Sequence, residues 1–150
     1  MNQIHQLLNE MLAVYWRALI QHRSHVGVIA ASGANLLAEE MEKRIADEPE
    51  TITLLQNRLL DLGGEIQFKV EQADIGSDLK SALAKDYALQ KYAREGLNKY
   101  AEQAAAEHDA TTRILIEKIL EDEEEHLFWL EQELDLLDKL GEALYLSKRM

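Results

Sequence analysis

A chain of 150 residues with 47% hydrophobic residues is long enough to bury one core, and its single proline and seven glycines favour helices. Its formal net charge of -12 argues against binding to nucleic acid or an anionic membrane, because phosphate contacts require lysine and arginine. The lack of cysteine excludes disulfides, thiolate metal ligands and cysteine nucleophiles, and no segment resembles a signal peptide or a membrane span. We therefore expect a single cytoplasmic domain, residues 1–150.

Apolar residues recur at helical spacing in the first part of the chain and predict two antiparallel helices. The first helix should cover roughly residues 3–31, with inner positions from Leu8 to Ile29. The second should cover roughly residues 35–62, and the pair Gly63–Gly64 ends it as a C-cap. Because only a short turn around Gly33 separates them, these helices should lie side by side in opposite directions.

The second half of the chain predicts another helical hairpin and a short tail helix. Residues 65–76 show no clear period and predict a loop, after which Ser77 is the expected N-cap of the third helix. Inner positions of that helix run from Leu79 to Tyr100, and the pattern resets near residues 107–109. The fourth helix then continues to Gly141, and residues 142–150 predict a short fifth helix.

The long connection between the second and third helices determines the expected topology. About 14 residues, extended at roughly 3.3 Å each, span about 46 Å. A helix of about 30 residues at 1.5 Å per residue is about 45 Å long. The connection can therefore cross the whole bundle and make the second and third helices parallel, although a loop folded up locally would leave them antiparallel. We predict an all-α, ferritin-like four-helix bundle with this crossover.

Three ionisable residues interrupt the apolar stripes that should face the core: Glu48 in the second helix, and Glu123 and His126 in the fourth. Glu123 and His126 are three residues apart and therefore project from one helix face. Burial of an unpaired carboxylate is costly, so each carboxylate needs a hydrogen-bond partner, a proton or a metal ion. Two carboxylates and an imidazole from two helices fit a metal site, and hydrogen bonding within the core is the alternative.

Pro49 should disturb the second helix next to Glu48. A proline removes the amide that would bond the carbonyl of Ile45, and its ring crowds that carbonyl. We therefore predict a kink or a bulge between Ile45 and Ile52.

A specific motif lies in the fourth helix. Residues 122–136 carry the pattern Asp-Glu-Glu-x-His-x-x-Trp-Leu-Glu-x-Glu-Leu-Asp-Leu, which resembles the fourth helix of bacterioferritins. A weaker resemblance extends over nearly the whole chain and includes residues 8–12, 75–78 and 108–109. It implies the crossover bundle and assembly into a hollow iron-storage shell of about 24 subunits.

The resemblance also implies a centre of two iron ions, held by one Glu from each of two helices and a Glu-x-x-His pair from each of the other two. Three ligand positions of that centre are kept: Glu48, Glu123 and His126. The other three hold altered residues: Tyr15 in the first helix, Thr51 in the second and Gln90 in the third. His22, on the inner side of the first helix, is expected near this centre but outside the ligand set.

The incomplete ligand set implies one iron ion or none at the bundle centre, and at most weak ferroxidase activity, with no residue assigned a catalytic role. Haem-containing members of the family have a methionine directly after the second-helix Glu. Pro49 occupies that position here, so no haem is expected there.

Together these features predict an iron-binding storage shell protein, related to bacterioferritins, with an incomplete ferroxidase centre. The alternative is a non-catalytic structural subunit on the same scaffold, which co-assembles with a ferroxidase-competent partner. A third hypothesis, a mini-ferritin that shields DNA, conflicts with the acidic charge and the lack of a basic tail.

Overall fold

Six α-helices are present in residues 2–150, the part of the chain that the computed structural model describes. They are α1 (Gln3–Ala31), α2 (Asn35–Ile45), α3 (Glu48–Asp61), α4 (Leu79–Ala106), α5 (Ala110–Leu140) and α6 (Glu142–Ser147). The bundle consists of α1, the α2–α3 pair, α4 and α5, and α6 packs against α5. The predicted all-helical bundle with a short C-terminal helix is confirmed. None of these helices is both long and apolar enough to cross a membrane.

The second predicted helix is divided into α2 and α3 at Ala46–Asp47. Pro49 lies in the first turn of α3, where a helix makes no use of the missing amide hydrogen. Because no amide at position 49 can bond the carbonyl of Ile45, α2 ends at Ile45 and a new helix begins at Glu48. The predicted disturbance between Ile45 and Ile52 is confirmed.

The connection between α3 and α4 runs along α1 in the direction of that helix. Near its start, the Asn9 side chain donates to the carbonyl of Glu65 (3.0 Å) and accepts from the amide of Gln67 (3.0 Å). Near its end, the amide of Gly76 donates to Nε2 of His25 (2.8 Å). Asn9 and His25 are about 24 Å apart along the axis of α1. Consequently α3 ends and α4 begins at opposite ends of the bundle, and the predicted crossover with parallel α3 and α4 is confirmed.

The N-terminus of α4 is capped by Asp78. The carboxylate of Asp78 accepts from the amide of Ser81 (2.8 Å), and the amide of Asp78 donates to the Ser81 hydroxyl (3.2 Å). This reciprocal pair is a capping box. The expected cap at Ser77 is wrong because the side chain of Asp78, one residue later, bonds the free amide of the first turn. Gly141, with a φ of 78°, ends α5 as predicted.

The short helix α6 is docked through Tyr145, which is fully buried. Its hydroxyl donates to Oε2 of Glu133 on α5 (2.5 Å), and the Arg149 guanidinium contacts the same carboxylate at 3.0 Å. These contacts close the bundle at the end where α1 finishes and α4 begins.

Two apolar clusters fill the bundle, one on each side of a polar middle layer. The first cluster includes Leu8, Leu55 and Ile116, and the second includes Ile29, Leu83 and Leu130. Each fully buried side chain of this kind stabilises the fold by about 1.5–3 kcal/mol. Most residues between the clusters are also buried but polar. Their contribution to the stability of the fold therefore depends on their hydrogen-bond and ion-pair partners.

Candidate metal centre

The polar layer contains side chains from all four helices of the bundle. They are Tyr15 and His22 from α1, Glu48 from α3, Asp86 and Gln90 from α4, and Glu123 and His126 from α5. Most of these side chains are deeply buried, since Glu48 is only 4% exposed and Gln90 only 1%, whereas Glu123 is half-buried. The three retained ligand positions therefore lie in one layer with two of the three altered ones.

Glu123 is held by the two side chains that stand where the resemblance implies acidic ligands. Tyr15 donates its hydroxyl to Oε1 of Glu123 (2.9 Å), and Gln90 donates its amide to Oε2 (2.5 Å). Burial raises the pKa of Glu123, and the hydrogen bonds from Gln90 and Tyr15 offset only part of that rise. Burial and the charge of Glu123 raise the pKa of Tyr15 well above its usual value, so the phenol keeps its proton.

Glu48 is paired with His22. Nδ1 of His22 lies 2.8 Å from Oε2 of Glu48, and both side chains are buried. Burial alone would lower the pKa of His22, but the hydrogen bond to Glu48, the charge of Glu48 and the charge of Asp86 together raise it to about 9. At neutral pH His22 is therefore a cation beside two carboxylates.

His126 lies next to His22 and carries no charge. The two ring centroids are 5.1 Å apart, and the ring of Trp129 is 6.3 Å from that of His126. Burial lowers the pKa of His126 to about 3, with further contributions from the positive charges of His22 and Arg44. A neutral imidazole is the form that can bind a metal ion, but its immediate neighbour is a positive ring.

A second network, which the sequence analysis missed, joins the polar layer to the crossover loop. Oδ1 of Asp86 accepts from Nδ1 of His25 (2.6 Å) and from the Gln21 amide (3.1 Å). The spacing offered a signal for it. His25 follows His22 by three residues and Asp86 precedes Gln90 by four, so each lies on the same helix face as its partner in the layer.

Thr51 does not take part in the layer. Its hydroxyl donates to the carbonyl of Asp47 (3.3 Å) within its own helix. The hydroxyl at the position where the family resemblance implies a histidine is therefore bonded within its own helix and not to Glu48, Glu123 or His126.

An acidic cavity of about 420 Å³ opens beside the break between α2 and α3. Its lining includes Asp47, Glu48, Asp122, Glu123 and His126. Burial and the hydrogen-bonded carboxyl of Asp47 raise the pKa of Asp122 to about 7. Three residues of the polar layer, Glu48, Glu123 and His126, therefore lie at the wall of this cavity.

The polar layer is not arranged as a metal site. Across residues 2–150, no group of three or more histidine, cysteine, aspartate or glutamate side chains is placed to hold one ion. Tyr15 and Gln90 direct hydrogen-bond donors at Glu123, and His22 is bonded to Glu48. Oε1 of Glu48 is buried without a hydrogen-bond partner, whereas Oε2 of Glu48 and both carboxylate oxygens of Glu123 are bonded to protein groups. This arrangement does not fit a centre of two metal ions, which would need more free carboxylate oxygens.

Comparisons with known proteins relate this chain to one family. A family model described as a ferritin-like domain matches residues 5–140. A bacterioferritin of Streptomyces coelicolor is 32% identical over 146 residues, which are 97% of this chain and 87% of that protein. A bacterial ferritin of Neisseria meningitidis serogroup B is 27% identical over 144 residues, which are 95% of this chain and 94% of that protein.

The structural comparison agrees. The bacterioferritin BfrA of Mycobacterium tuberculosis superposes with a TM-score of 0.95 at 30% sequence identity. The match covers 100% of this chain and 95% of that one.

Proposed function

This chain belongs to the ferritin-like family as an iron-storage relative of the bacterioferritins, and on that basis we propose that it stores iron without a working two-iron oxidation centre of its own. One observation supports the lack of a working two-iron oxidation centre. Both carboxylate oxygens of Glu123 accept hydrogen bonds, from Tyr15 and from Gln90. A metal ion at Glu123 must therefore compete with two protein donors for the same carboxylate.

Charge balance supports at most one metal ion in the polar layer. Four carboxylates would match the roughly +4 charge of two divalent cations, whereas Glu48 and Glu123 supply only about -2. Asp86 adds about -1 to the layer, and the positive charge of His22 offsets it. Two ions would leave about two positive charges uncompensated in a buried site, which is strongly unfavourable. One ion bound by Glu48, Glu123 and His126 would be balanced, and a metal-free network is the other state. The positive charge of His22 next to Glu48 favours the metal-free state.

An anaerobic titration with Fe(II), followed by admission of air, tests this proposal. We expect at most one tightly bound iron per chain and slow oxidation that Glu123→Ala leaves unchanged. Glu121→Ala, an exposed carboxylate on the same helix, is the matched control. Two tight irons per chain, with fast oxidation that is lost in Glu123→Ala but kept in Glu121→Ala, would refute it.

We further propose that the protein forms a multimeric shell of about 24 subunits, as the resemblance to bacterioferritins implies. An apolar surface patch supports association. Phe68 in the crossover loop is fully exposed, beside a cavity of about 350 Å³ whose lining includes Trp16, Ile20 and Val70. A contiguous apolar patch of this kind favours contact with another protein surface. The mass of the purified assembly tests the proposal, and a 17.1 kDa species alone would contradict it.

A second candidate function is a structural subunit that co-assembles with a ferroxidase-competent partner. The closed polar layer favours it, since such a subunit needs no oxidation chemistry of its own. Iron loading separates the two candidates: a shell of this chain alone that accumulates iron supports storage, and a shell that loads iron only when mixed with a competent subunit supports the partner role. The cytoplasmic location stays a prediction.

A further inference from the structure

We propose that a second cavity, between α1 and α4, binds a small organic cation that consists of an ammonium group and an apolar arm. The cavity has a volume of about 310 Å³, within the range of small-molecule sites. It shares no lining residue with the acidic cavity beside the break between α2 and α3. The residues that define its chemistry are Glu10, Met11, Val14, Tyr92, Leu97 and Tyr100.

One wall of the cavity is a face of α4 with a gap in its middle. Tyr92, Gly96 and Tyr100 follow one another at four-residue spacing, so they lie along one helix face. The two tyrosines are about 12 Å apart along the helix axis, and Gly96 leaves the space between them open. A Cβ at Gly96 would lie 3.6 Å from Cε2 of Tyr100, which is an ordinary contact. Packing therefore does not require glycine here, although glycine makes the helix less stable than alanine would.

The Tyr92 end of this wall shows how it holds a cation. The Tyr92 hydroxyl donates to Oε2 of Glu71 (3.1 Å), and the Arg17 guanidinium lies 3.4 Å from Oε1 of the same carboxylate. The guanidinium also lies over the ring of Tyr92, 5.5 Å from its centroid. An aromatic ring and the carboxylate that its hydroxyl holds together bind one positive group, as expected for a cation–π contact supported by an ion pair.

The Tyr100 end repeats the tyrosine–carboxylate pair without a cation from the protein. The hydroxyl of Tyr100 is hydrogen-bonded to the carboxylate of Glu10, which is half-buried. Within residues 2–150, Glu10 forms no ion pair with a lysine, arginine or histidine. Lys99 lines the same cavity, but its side chain is exposed. A half-buried carboxylate beside an aromatic ring therefore offers a cation the same two contacts that Arg17 makes at the other end.

The rest of the lining selects an organic cation. An ammonium group at Glu10 and Tyr100 would place an attached chain in the space over Gly96, where Met11, Val14 and Leu97 supply apolar surface. Burial of methylene groups against such a surface is favourable, and an inorganic ion cannot gain it. The proposal concerns a site separate from the iron chemistry and does not rest on it.

The first test is a titration of the full-length assembly with n-butylammonium, followed by ligand-observed saturation-transfer NMR. 1-Butanol, which has the same chain without the charge, is the control ligand. We expect saturable binding of n-butylammonium with a Kd on the order of 1 mM, and binding of 1-butanol at least about tenfold weaker. Equal binding of the two ligands would overturn the proposal.

The second test separates this cavity from the general negative charge of the protein. Glu10→Gln should weaken n-butylammonium binding by about fivefold or more, because the ammonium loses its counter-charge. Glu102→Gln is the matched control, since it removes the same charge from an exposed position of α4 outside the cavity, and binding should not change. Equal effects of the two substitutions would show that the cation is bound by net charge alone, which would refute the site.

A third variant fills the gap. Gly96→Leu places a side chain between the two tyrosines and should abolish n-butylammonium binding. Gly96→Ala controls for the helix, since its Cβ makes only an ordinary contact, and it should melt at or above the temperature of the unmodified protein. A folded Gly96→Leu variant that binds n-butylammonium as before would overturn the proposal. If that variant does not fold, the comparison of Glu10→Gln with Glu102→Gln decides.

Discussion

Gln90 and Glu123 are joined by a hydrogen bond of 2.5 Å between α4 and α5, at a position where the resemblance to bacterioferritins implies a second carboxylate. The side-chain amide of Gln90 donates a hydrogen bond to Glu123, whereas a carboxylate at position 90 would repel Glu123. Glu123 therefore has hydrogen-bond partners in the absence of any metal ion. The amide at position 90 therefore removes part of the layer's need for a cation.

Gln90→Glu should replace the hydrogen bond to Glu123 with repulsion between two carboxylates. Without metal, two carboxylates would face each other in a buried layer, at a cost of about 3 kcal/mol. We expect the melting temperature of the chelator-treated variant to fall by several degrees and to recover in part when Co(II) is added. Gln132→Glu, on the exposed face of α5, should change neither measurement. A Gln90→Glu variant that melts at the original temperature in chelator would show that the hydrogen bond matters little.

Tyr15→Phe should remove one of the two hydrogen bonds to Glu123 without changing the shape of the core. The loss of a buried donor to a carboxylate costs about 1–3 kcal/mol, to be measured by denaturant unfolding. Tyr92→Phe is the matched control. Its hydroxyl bonds Glu71 at 3.1 Å in an exposed position, so its removal should cost less than about 1 kcal/mol. Equal losses of unfolding free energy in the two variants would show that the Tyr15 hydrogen bond contributes no more than an exposed one.

Gly76→Ala should loosen the junction between the crossover loop and α4. A Cβ at Gly76 would lie 2.7 Å from the backbone nitrogen of Ala82, too close for an unstrained contact. We expect a loss of about 1–3 kcal/mol in unfolding free energy. Gly27→Ala is the control, with an expected change in the opposite direction. A Cβ at this helical position meets open space, so the substitution should stabilise the protein by about 0.5–1 kcal/mol. A stable Gly76→Ala variant would mean that the loop can shift without cost.

Phe68→Ser should weaken assembly and leave the subunit folded. The side chain is fully exposed on the subunit, so its removal costs the isolated fold little, but it removes apolar area that a neighbouring subunit would cover. Light scattering at decreasing protein concentration should show dissociation earlier than for the unmodified protein. Lys69→Ser, at the next position of the loop, should dissociate as the unmodified protein does. Indistinguishable curves for Phe68→Ser would place the subunit contacts elsewhere.

The sequence by itself determined the bundle, because the features that specify it are local or depend only on chain length. Apolar periodicity located the helices, and Gly63–Gly64 and Gly141 marked ends that the structure shows. The length of the connection allowed the crossover. Pro49 indicated the break that separates α2 from α3, since the loss of one amide is a property of the residue and its position alone. The cap predicted at Ser77 lies one residue before the observed cap, Asp78, because sequence patterns locate helix boundaries only to within about one residue.

Only the tertiary structure decided how the polar layer is closed. Periodicity indicates which face a residue lies on, but pairing between helices depends on their relative height and rotation to within about an ångström, the tolerance of a hydrogen bond. The sequence identified Glu48, Glu123 and His126 as polar residues in apolar stripes, and it could not specify their partners. The pairings in the layer follow from the packing of four helices whose contacting residues are far apart along the chain. They are His22 with Glu48, Tyr15 and Gln90 with Glu123, and His22 with Asp86.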